Sequence, residues 1–244
     1  MKFQKPLQEG LFLKRYKRFF TDIEFNGETI TAHCPNTGSM MGLNETGMTC
    51  LFSTHDDPKR KLKHTLEMIK TPQSWVGVNT GLPNKLVKEL FETHPLPHWK
   101  EFNACQSEVK ISEASRIDLV LWDNKKHSTE KWSSKNLKAP LHLIEVKNVT
   151  LGKDGAAYFP DAVTARGLKH LEEMIALVDK GFSCEMLYVV QREDCKTFQT
   201  ADDIDPAYGK KLKEAKRKGV LVTPLLCKLS HSEVKLTHTK LDWI

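Results

Sequence analysis

A break in texture at Gly81-Leu82-Pro83 constrains this chain more than any other feature. Before it, residues 11–16, 19–25, 29–33, 49–53, 62–69 and 75–78 alternate or run apolar over strand lengths, with turn residues between them and no helical periodicity. Asn26-Gly27 between two such stretches is the strongest short-range hairpin signal. Strands this short, in a segment of this size, predict a small closed or partly closed barrel over residues 1–80. After the break, Leu86, Val87, Leu90 and Phe91 form one apolar helix face, and strands are predicted at 106–111, 116–122 and 141–149. A helix over 162–180 follows, with Val163, Leu168, Leu171, Ile175 and Val178 inward and Pro160-Asp161 at its start. A strand at 184–191, a basic helix at 206–218 stopped by Gly219 and a strand at 220–226 complete the pattern. The expected fold is therefore a two-domain chain: a β-barrel over 1–80, then a mixed sheet flanked by helices over 81–244.

Composition supports a folded, non-membrane protein. Of 244 residues, 39% are apolar and 28% charged, and 37 Lys+Arg against 31 Asp+Glu leave a net charge of +6. Each predicted domain carries +3, so neither is a basic tail. No apolar run approaches the ~20 residues of a membrane-spanning helix, and the first residues lack the ~7–15-residue apolar core of a secretory signal. The six cysteines show no C-x-x-C pair or zinc spacing. Reduced thiols and a cytoplasmic location are expected. The ten histidines show no metal-ligand spacing, and no Ser-His-Asp or P-loop signature is present.

The chemistry concentrates in two strands. Side chains alternate along a strand, so Glu145 and Lys147 share a face while Val146 takes the other. Asp118 is embedded in Arg116-Ile-Asp-Leu-Val-Leu121, where an ionised carboxylate is costly to bury without a partner. Two strand-borne carboxylates make a hard oxygen site suited to Mg²⁺ or Mn²⁺, with Lys147 placed to position or deprotonate an attacking water. A structural salt bridge among Arg116, Asp118, Glu145 and Lys147 is the competing reading.

Several basic clusters are candidate nucleic-acid contacts. Arg15, Lys17 and Arg18 interleave with Tyr16 and Phe19, which pairs phosphate-seeking charge with stacking surface. Lys59, Arg60, Lys61 and Lys63 follow a turn, and Asn36-Thr-Gly-Ser39 offers main-chain N–H groups. Arg166, Lys169 and His170 recur at i, i+3 and i+4 on the polar side of their helix. Gln191 and Arg192 end an apolar strand beside the expected site. Solvated surface is the bland alternative for each.

These residues carry a resemblance that spans essentially the whole chain. Arg15-Tyr-Lys-Arg-Phe19, Thr31-Ala-His-Cys-Pro-Asn-Thr-Gly-Ser-Met40, Pro58-Lys-Arg-Lys-Leu62, Trp75-Val-Gly-Val-Asn-Thr80, Ser115-Arg-Ile-Asp118, Glu145-Val-Lys-Asn-Val-Thr150, Phe159-Pro-Asp-Ala-Val-Thr164, Arg166-Gly-Leu-Lys-His-Leu171 and Val189-Val-Gln-Arg192 resemble the sugar fermentation stimulation protein A family. The resemblance implies a cytoplasmic DNA-binding protein linked to regulation of sugar (maltose) metabolism. It also implies an OB-like barrel followed by a domain similar to PD-(D/E)xK nucleases. In that superfamily an acid on one strand and E-x-K on the next hold the metal and the lysine, which places Asp118, Glu145 and Lys147 in those roles. An acid from the preceding helix often joins them, and Glu89 is the candidate here, with Glu92 close behind. The polar stretch from Asp123 to Lys138 is the local departure. The expected function is DNA binding with a Mg²⁺-holding, nuclease-like site; the alternatives are an active nuclease on DNA or RNA and a binder that has lost catalysis.

Overall fold

Alternating apolar residues and tight turns close the first part of the chain into a barrel. The computed structural model describes residues 1–112, 115–126, 131–138 and 140–244. Its first strands are β1 (Gln8–Tyr16), β2 (Phe20–Phe25), β3 (Glu28–His33), β4 (Thr49–Thr54), β5 (His64–Lys70) and β6 (Trp75–Gly77). The Asn26-Gly27 turn joins β2 to β3 with both residues at positive φ, 52° and 81°, as a two-residue hairpin of matched twist requires. β1 pairs with β2 and with β4, β4 pairs with β5, and a short parallel contact between β3 and β5 (Ala32↔His64, His33↔Thr65) closes the five strands. Phe12, Ile23, Phe52, Leu66 and Val76 fill the interior with no exposed surface. Burial of each contributes about 1.5–3 kcal/mol. This is the OB barrel expected from the sequence.

The second part begins at α1 (Pro83–Thr93), where Pro83 occupies a first-turn position that needs no N–H donor. A 3-10 turn at Pro97–Trp99 leads into β7 (Ala104–Lys110), β8 (Arg116–Trp122) and β9 (His142–Val149). Then come β10 (Leu151–Lys153), β11 (Ala156–Phe159), α2 (Ala165–Asp179), β12 (Ser183–Val190), β13 (Thr197–Thr200), α3 (Pro206–Arg217), β14 (Leu221–Leu229), β15 (Val234–Lys240) and β16 (Asp242–Trp243). The central sheet runs β15-β14-β12-β9-β8-β7; β9, β12 and β14 are parallel and the outer pairings antiparallel. One face buries Ile144, Val146, Leu187 and Val189 against Leu86, Val87 and Leu90 of α1. The other buries Leu143, Met186 and Tyr188 against Leu171 and Met174 of α2 and Tyr208 and Leu212 of α3. This is the mixed α/β layer expected after the barrel.

The N-terminal residues cross to this layer. Lys2 bridges to Glu233, and Leu7 joins the α1-side core. A second cross-connection runs from Gly77, whose N–H donates to the Gln191 carbonyl at 2.8 Å. A Cβ on Gly77 would lie 2.5 Å from Gln191 Oε1, so glycine leaves room for the Gln191 side chain at this connection.

The expected helix start at 162 is displaced. Thr164 is the cap, its Oγ1 accepting the Gly167 N–H at 3.0 Å, and Val163 is 77% exposed rather than inward. Gly167, Leu171, Met174 and Leu177 form the buried stripe, while Leu168, Ile175 and Val178 are partly buried. Of the polar stretch from Asp123 to Lys138, residues 127–130 and 139 beyond it lie outside the described residues. Among the described residues no helix is long and apolar enough to cross a membrane, and the six cysteines are free thiols.

Candidate functional site

The site forms where two paired strands part. β8 and β9 are in register only from Leu121↔His142 to Leu119↔Ile144. Beyond Ile144 the main chain of β9 loses its β8 partner, and Asp118 Oδ2 accepts the Val146 N–H in its place at 2.8 Å. Asp118 Oδ1 accepts from Asn84 Nδ2 in the first turn of α1, also at 2.8 Å. On its other edge β9 stays paired with β12 through Val149↔Val190. The strand is thus held from the β12 side where Glu145 and Lys147 project.

Glu145 is 3% exposed and carries two partners on one oxygen. Lys147 Nζ lies 2.7 Å from Glu145 Oε1, and His170 Nδ1 of α2 makes a short contact with the same atom. Arg166 Nε donates to His170 Nε2 at 3.3 Å. Arginine only donates, so Nε2 is the acceptor in that bond, while Nδ1 meets both Glu145 Oε1, a carboxylate oxygen that accepts, and Lys147 Nζ at 3.1 Å. Among the described residues no hydrogen bond falls on Glu145 Oε2.

The electrostatics of the pair are unequal. Burial and the neighbouring Glu145 carboxylate push Asp118 up to about 6, against the opposing effects of the Val146 and Asn84 bonds and the Lys147 charge. Burial also raises Glu145, but the His170 bond and the Lys147 charge outweigh it and hold that carboxyl below its ordinary value. Two neighbouring carboxylates, one oxygen of which has no donor among the described residues, make a hard-oxygen pair of the kind that takes a divalent cation.

Two clefts flank this centre. One, of about 300 Å³, is lined by Glu108, Lys110, Arg116, Asp118, Arg166 and His170. The other, of about 410 Å³, joins Lys147, Asn148 and Arg166 to Asn36, Thr37, Gly38 and Thr80 of the barrel side. Arg166 walls both. The barrel loop is braced from beneath: the Arg15 guanidinium donates to the carbonyls of Asn36 at 2.6 Å and Gly38 at 2.9 Å. Ser39 Oγ donates to Asp161 Oδ2 at 2.9 Å and ties the loop to the approach of α2.

Asp118, Glu145, Lys147, Arg166 and His170 therefore converge, and the other candidates do not. Glu89 accepts from the Met1 ammonium at 2.6 Å, and Glu92 pairs with Lys88 at 3.6 Å. At about 100° per residue, Glu89 lies roughly 140° around α1 from Asn84, and Glu92 sits about 12 Å farther along the axis. The helix thus contributes an amide rather than an acid, and nothing in residue type marked Asn84 beyond its place in the first turn. His170, expected to face a phosphate backbone, instead turns inward to Glu145. Lys169 pairs with Glu173 at 3.8 Å, and Arg15 is committed to the loop. Lys17 and Arg18, at positive φ in the β1–β2 turn, line a separate depression with Tyr16 and Asn44. Lys59 and Lys61 are exposed, whereas Arg60 donates to the Leu62 carbonyl and Thr65 Oγ1. Arg192 is consumed by Asp194 and the Thr150 carbonyl, and Gln191 donates to Asn148 Oδ1 at 2.6 Å.

Comparison with known proteins agrees with this architecture. Residues 13–78 match the SfsA N-terminal OB domain, and residues 81–233 match the sugar fermentation stimulation protein RE domain. A sugar fermentation stimulation protein homolog of Bdellovibrio bacteriovorus is 49% identical over 99% of this chain and 98% of its own length. Homologs from Crocosphaera subtropica (44% identical, 90% of this chain and 88% of theirs) and Nitrosococcus oceani (43%, 98% of each) are similar throughout. The structure of Pyrococcus furiosus SfsA in complex with Ca²⁺ superposes with a TM-score of 0.84 over 100% of this chain and 98% of that one, at 22% identity. With an OB barrel, a restriction-endonuclease-like layer and relatives aligned over nearly their full lengths, the chain belongs to the sugar fermentation stimulation protein family.

Proposed function

We propose that this protein binds DNA across both domains and that Asp118 and Glu145 hold a Mg²⁺ or Mn²⁺ ion in a centre that hydrolyses phosphodiesters. The observation that carries the reading is the convergence of Asp118, Glu145 and Lys147 at the parting of β8 and β9, where burial and the Glu145 carboxylate push Asp118 up and Glu145 Oε2 has no donor among the described residues. The Ca²⁺ complex of the Pyrococcus relative supports a hard divalent cation in this fold. Bound there, the ion supplies Lewis-acid activation of phosphate and water. Asn84 and the Val146 N–H fix the Asp118 carboxylate, and the His170 imidazole fixes Glu145. Lys147 directs an ammonium to the face it shares with Glu145, where it orients water and neutralises charge developing on phosphate. Arg166, on the wall of both clefts, is placed to hold a phosphate on either side of the centre. The six free thiols accord with a cytoplasmic setting, and the family's name ties the role to sugar metabolism.

One observation favours a second reading, a DNA binder without catalysis. Lys147 and His170 both rest on Glu145 Oε1, which pairs that buried carboxylate within the protein. Incubating the full chain with single-stranded DNA, duplex DNA and RNA, with Mg²⁺, Mn²⁺ or a chelator, separates these readings. Cation-dependent cleavage of a DNA substrate is expected. Salt-sensitive DNA binding without cleavage would favour the second reading, and cleavage of RNA alone would reassign the substrate.

A further inference from the structure

The opposite end of β9, on the other face of the sheet, carries a second cluster of ligand-type side chains. His142 opens β9 and shares the α1 side with Ile144; Ile144 lies in register with Glu185 of β12, which therefore points the same way. His98 reaches over from the 3-10 turn. His142 Nε2 lies 2.8 Å from Glu185 Oε2, and His98 Nε2 lies 3.2 Å from both Glu185 oxygens. All three ligand atoms fall within 4.8 Å of one another, close enough to share one ion. The histidine count showed no such grouping, because these residues are 44 and 43 positions apart in the chain and only the fold unites them.

The surroundings are those of a ligand set rather than a chance contact. Glu185 has no exposed surface, and Trp99 Nε1 donates to its Oε2 at 2.9 Å. His142, 2% exposed, has its other nitrogen on Ser183 Oγ at 2.8 Å, a partner able to take the Nδ1 proton when Nε2 is given over to a metal. Phe102 stacks on the His142 ring at 5.6 Å and 16°, which fixes its plane. Metal-binding imidazoles and carboxylates are held by outer partners of this kind. A cavity of about 240 Å³ opens beside His98 and His142 and admits water.

The geometry points to a transition-metal site in which His98, His142 and Glu185 bind one Zn²⁺ and leave a coordination position open to that cavity. Two imidazoles and one carboxylate suit Zn²⁺ and its first-row neighbours, whereas Mg²⁺ prefers oxygen alone. The site is chemically and spatially separate from the Asp118 centre and does not depend on that centre's function. It links β9, β12 and the turn after α1, so the ion also fastens the end of the sheet. The competing structure is a buried ion pair in which a proton on one imidazole replaces the metal.

Titrating the chelator-stripped full chain with Co²⁺ in excess Mg²⁺ tests the assignment. One Co²⁺ per chain is expected, with visible d–d absorption that Zn²⁺ abolishes, and Zn²⁺ at a hundredfold excess over its dissociation constant should raise the melting temperature by about 5–10 °C. His98→Ala, truncated at the exposed rim with the buried His142–Glu185 pair left in place, should bind at least about tenfold more weakly and lose the thermal shift. Asp118→Asn should bind Co²⁺ as the wild type does. Failure of the wild type to bind Co²⁺, undiminished binding in His98→Ala, or binding lost in Asp118→Asn and kept in His98→Ala would each overturn the site.

Discussion

Asp118 accepts the main-chain N–H of Val146 at 2.8 Å, standing in for the strand partner that β9 loses beyond Ile144. One carboxylate thus ends a sheet ladder and faces the Glu145 side of the same opening. Its structural bond and its electrostatic discomfort are separable, and the first prediction separates them.

Asp118→Asn keeps a carbonyl for the Val146 N–H and removes the charge. Because burial and Glu145 raise the folded value of Asp118 to about 6 from an ordinary 3.8, the folded protein binds this proton more tightly than the unfolded chain. Asp118 therefore subtracts stability as pH rises from about 4 to 6, and the cost persists above that. Glu145, held low, has the opposite sign: its contribution is present above its ordinary value and lost as pH falls. Without divalent cations, Asp118→Asn should be more stable than wild type near neutral pH, by on the order of 1–3 kcal/mol. Urea denaturation at several pH values checks this, and a difference that does not fade towards about pH 4 would contradict it.

His170→Ala removes the imidazole donor from Glu145 Oε1. Glu145 should then be protonated more readily, and Mn²⁺ affinity should fall by about 10–100-fold. Calorimetric titration of Mn²⁺ reads the change; an unaltered isotherm would show that His170 does not prepare the carboxylate.

Asn84 and Glu89 make opposite predictions from one helix. Asn84→Ala frees Asp118 Oδ1 and should weaken Mn²⁺ binding by about tenfold or more. Glu89→Gln touches only the Met1 ammonium, a partly exposed pair, and should leave binding unchanged at a cost of about 0–1 kcal/mol in stability. Reversal of the two effects in parallel titrations would restore Glu89 to the site.

Gly77→Ala should destabilise the chain by about 1–3 kcal/mol, since its Cβ would press to 2.5 Å from Gln191 Oε1 across the connection between barrel and sheet. A denaturation midpoint equal to wild type would show that Gln191 yields freely.

What could be read in advance follows from how local each signal is. Glu145 and Lys147 share a face through strand alternation, a property of three consecutive residues, and Asp118 stood out as an acid inside an apolar strand. The Asn26-Gly27 hairpin was legible for the same reason. The helix contribution was not, because the part of α1 that meets β8 depends on how helix and sheet cross; the chain offers Asn84 there and spends Glu89 elsewhere. His170 and Arg166 were legible as neighbours on α2, but their partner was not. The short strands β10, β11, β13 and β16 carry too few residues for a periodic signal, and β15, Val-Lys-Leu-Thr-His-Thr-Lys, is largely polar. The His98–His142–Glu185 cluster arises only from strand register and a turn, neither visible in spacing.

Single-turnover cleavage of DNA at saturating protein, with Mg²⁺ or Mn²⁺, tests the central claim most directly when wild type is compared with Lys147→Ala and with the double variant Lys59→Ala/Arg60→Ala. Lys147 is the cation that strand alternation fixes beside Glu145, at 2.7 Å. Its loss should lower the cleavage rate by about 10²–10³-fold while DNA affinity changes little. The double variant should bind more weakly and cleave at nearly the wild-type rate once saturated. Full-rate cleavage by Lys147→Ala, or no cleavage by wild type on any nucleic acid with either cation, would contradict the account.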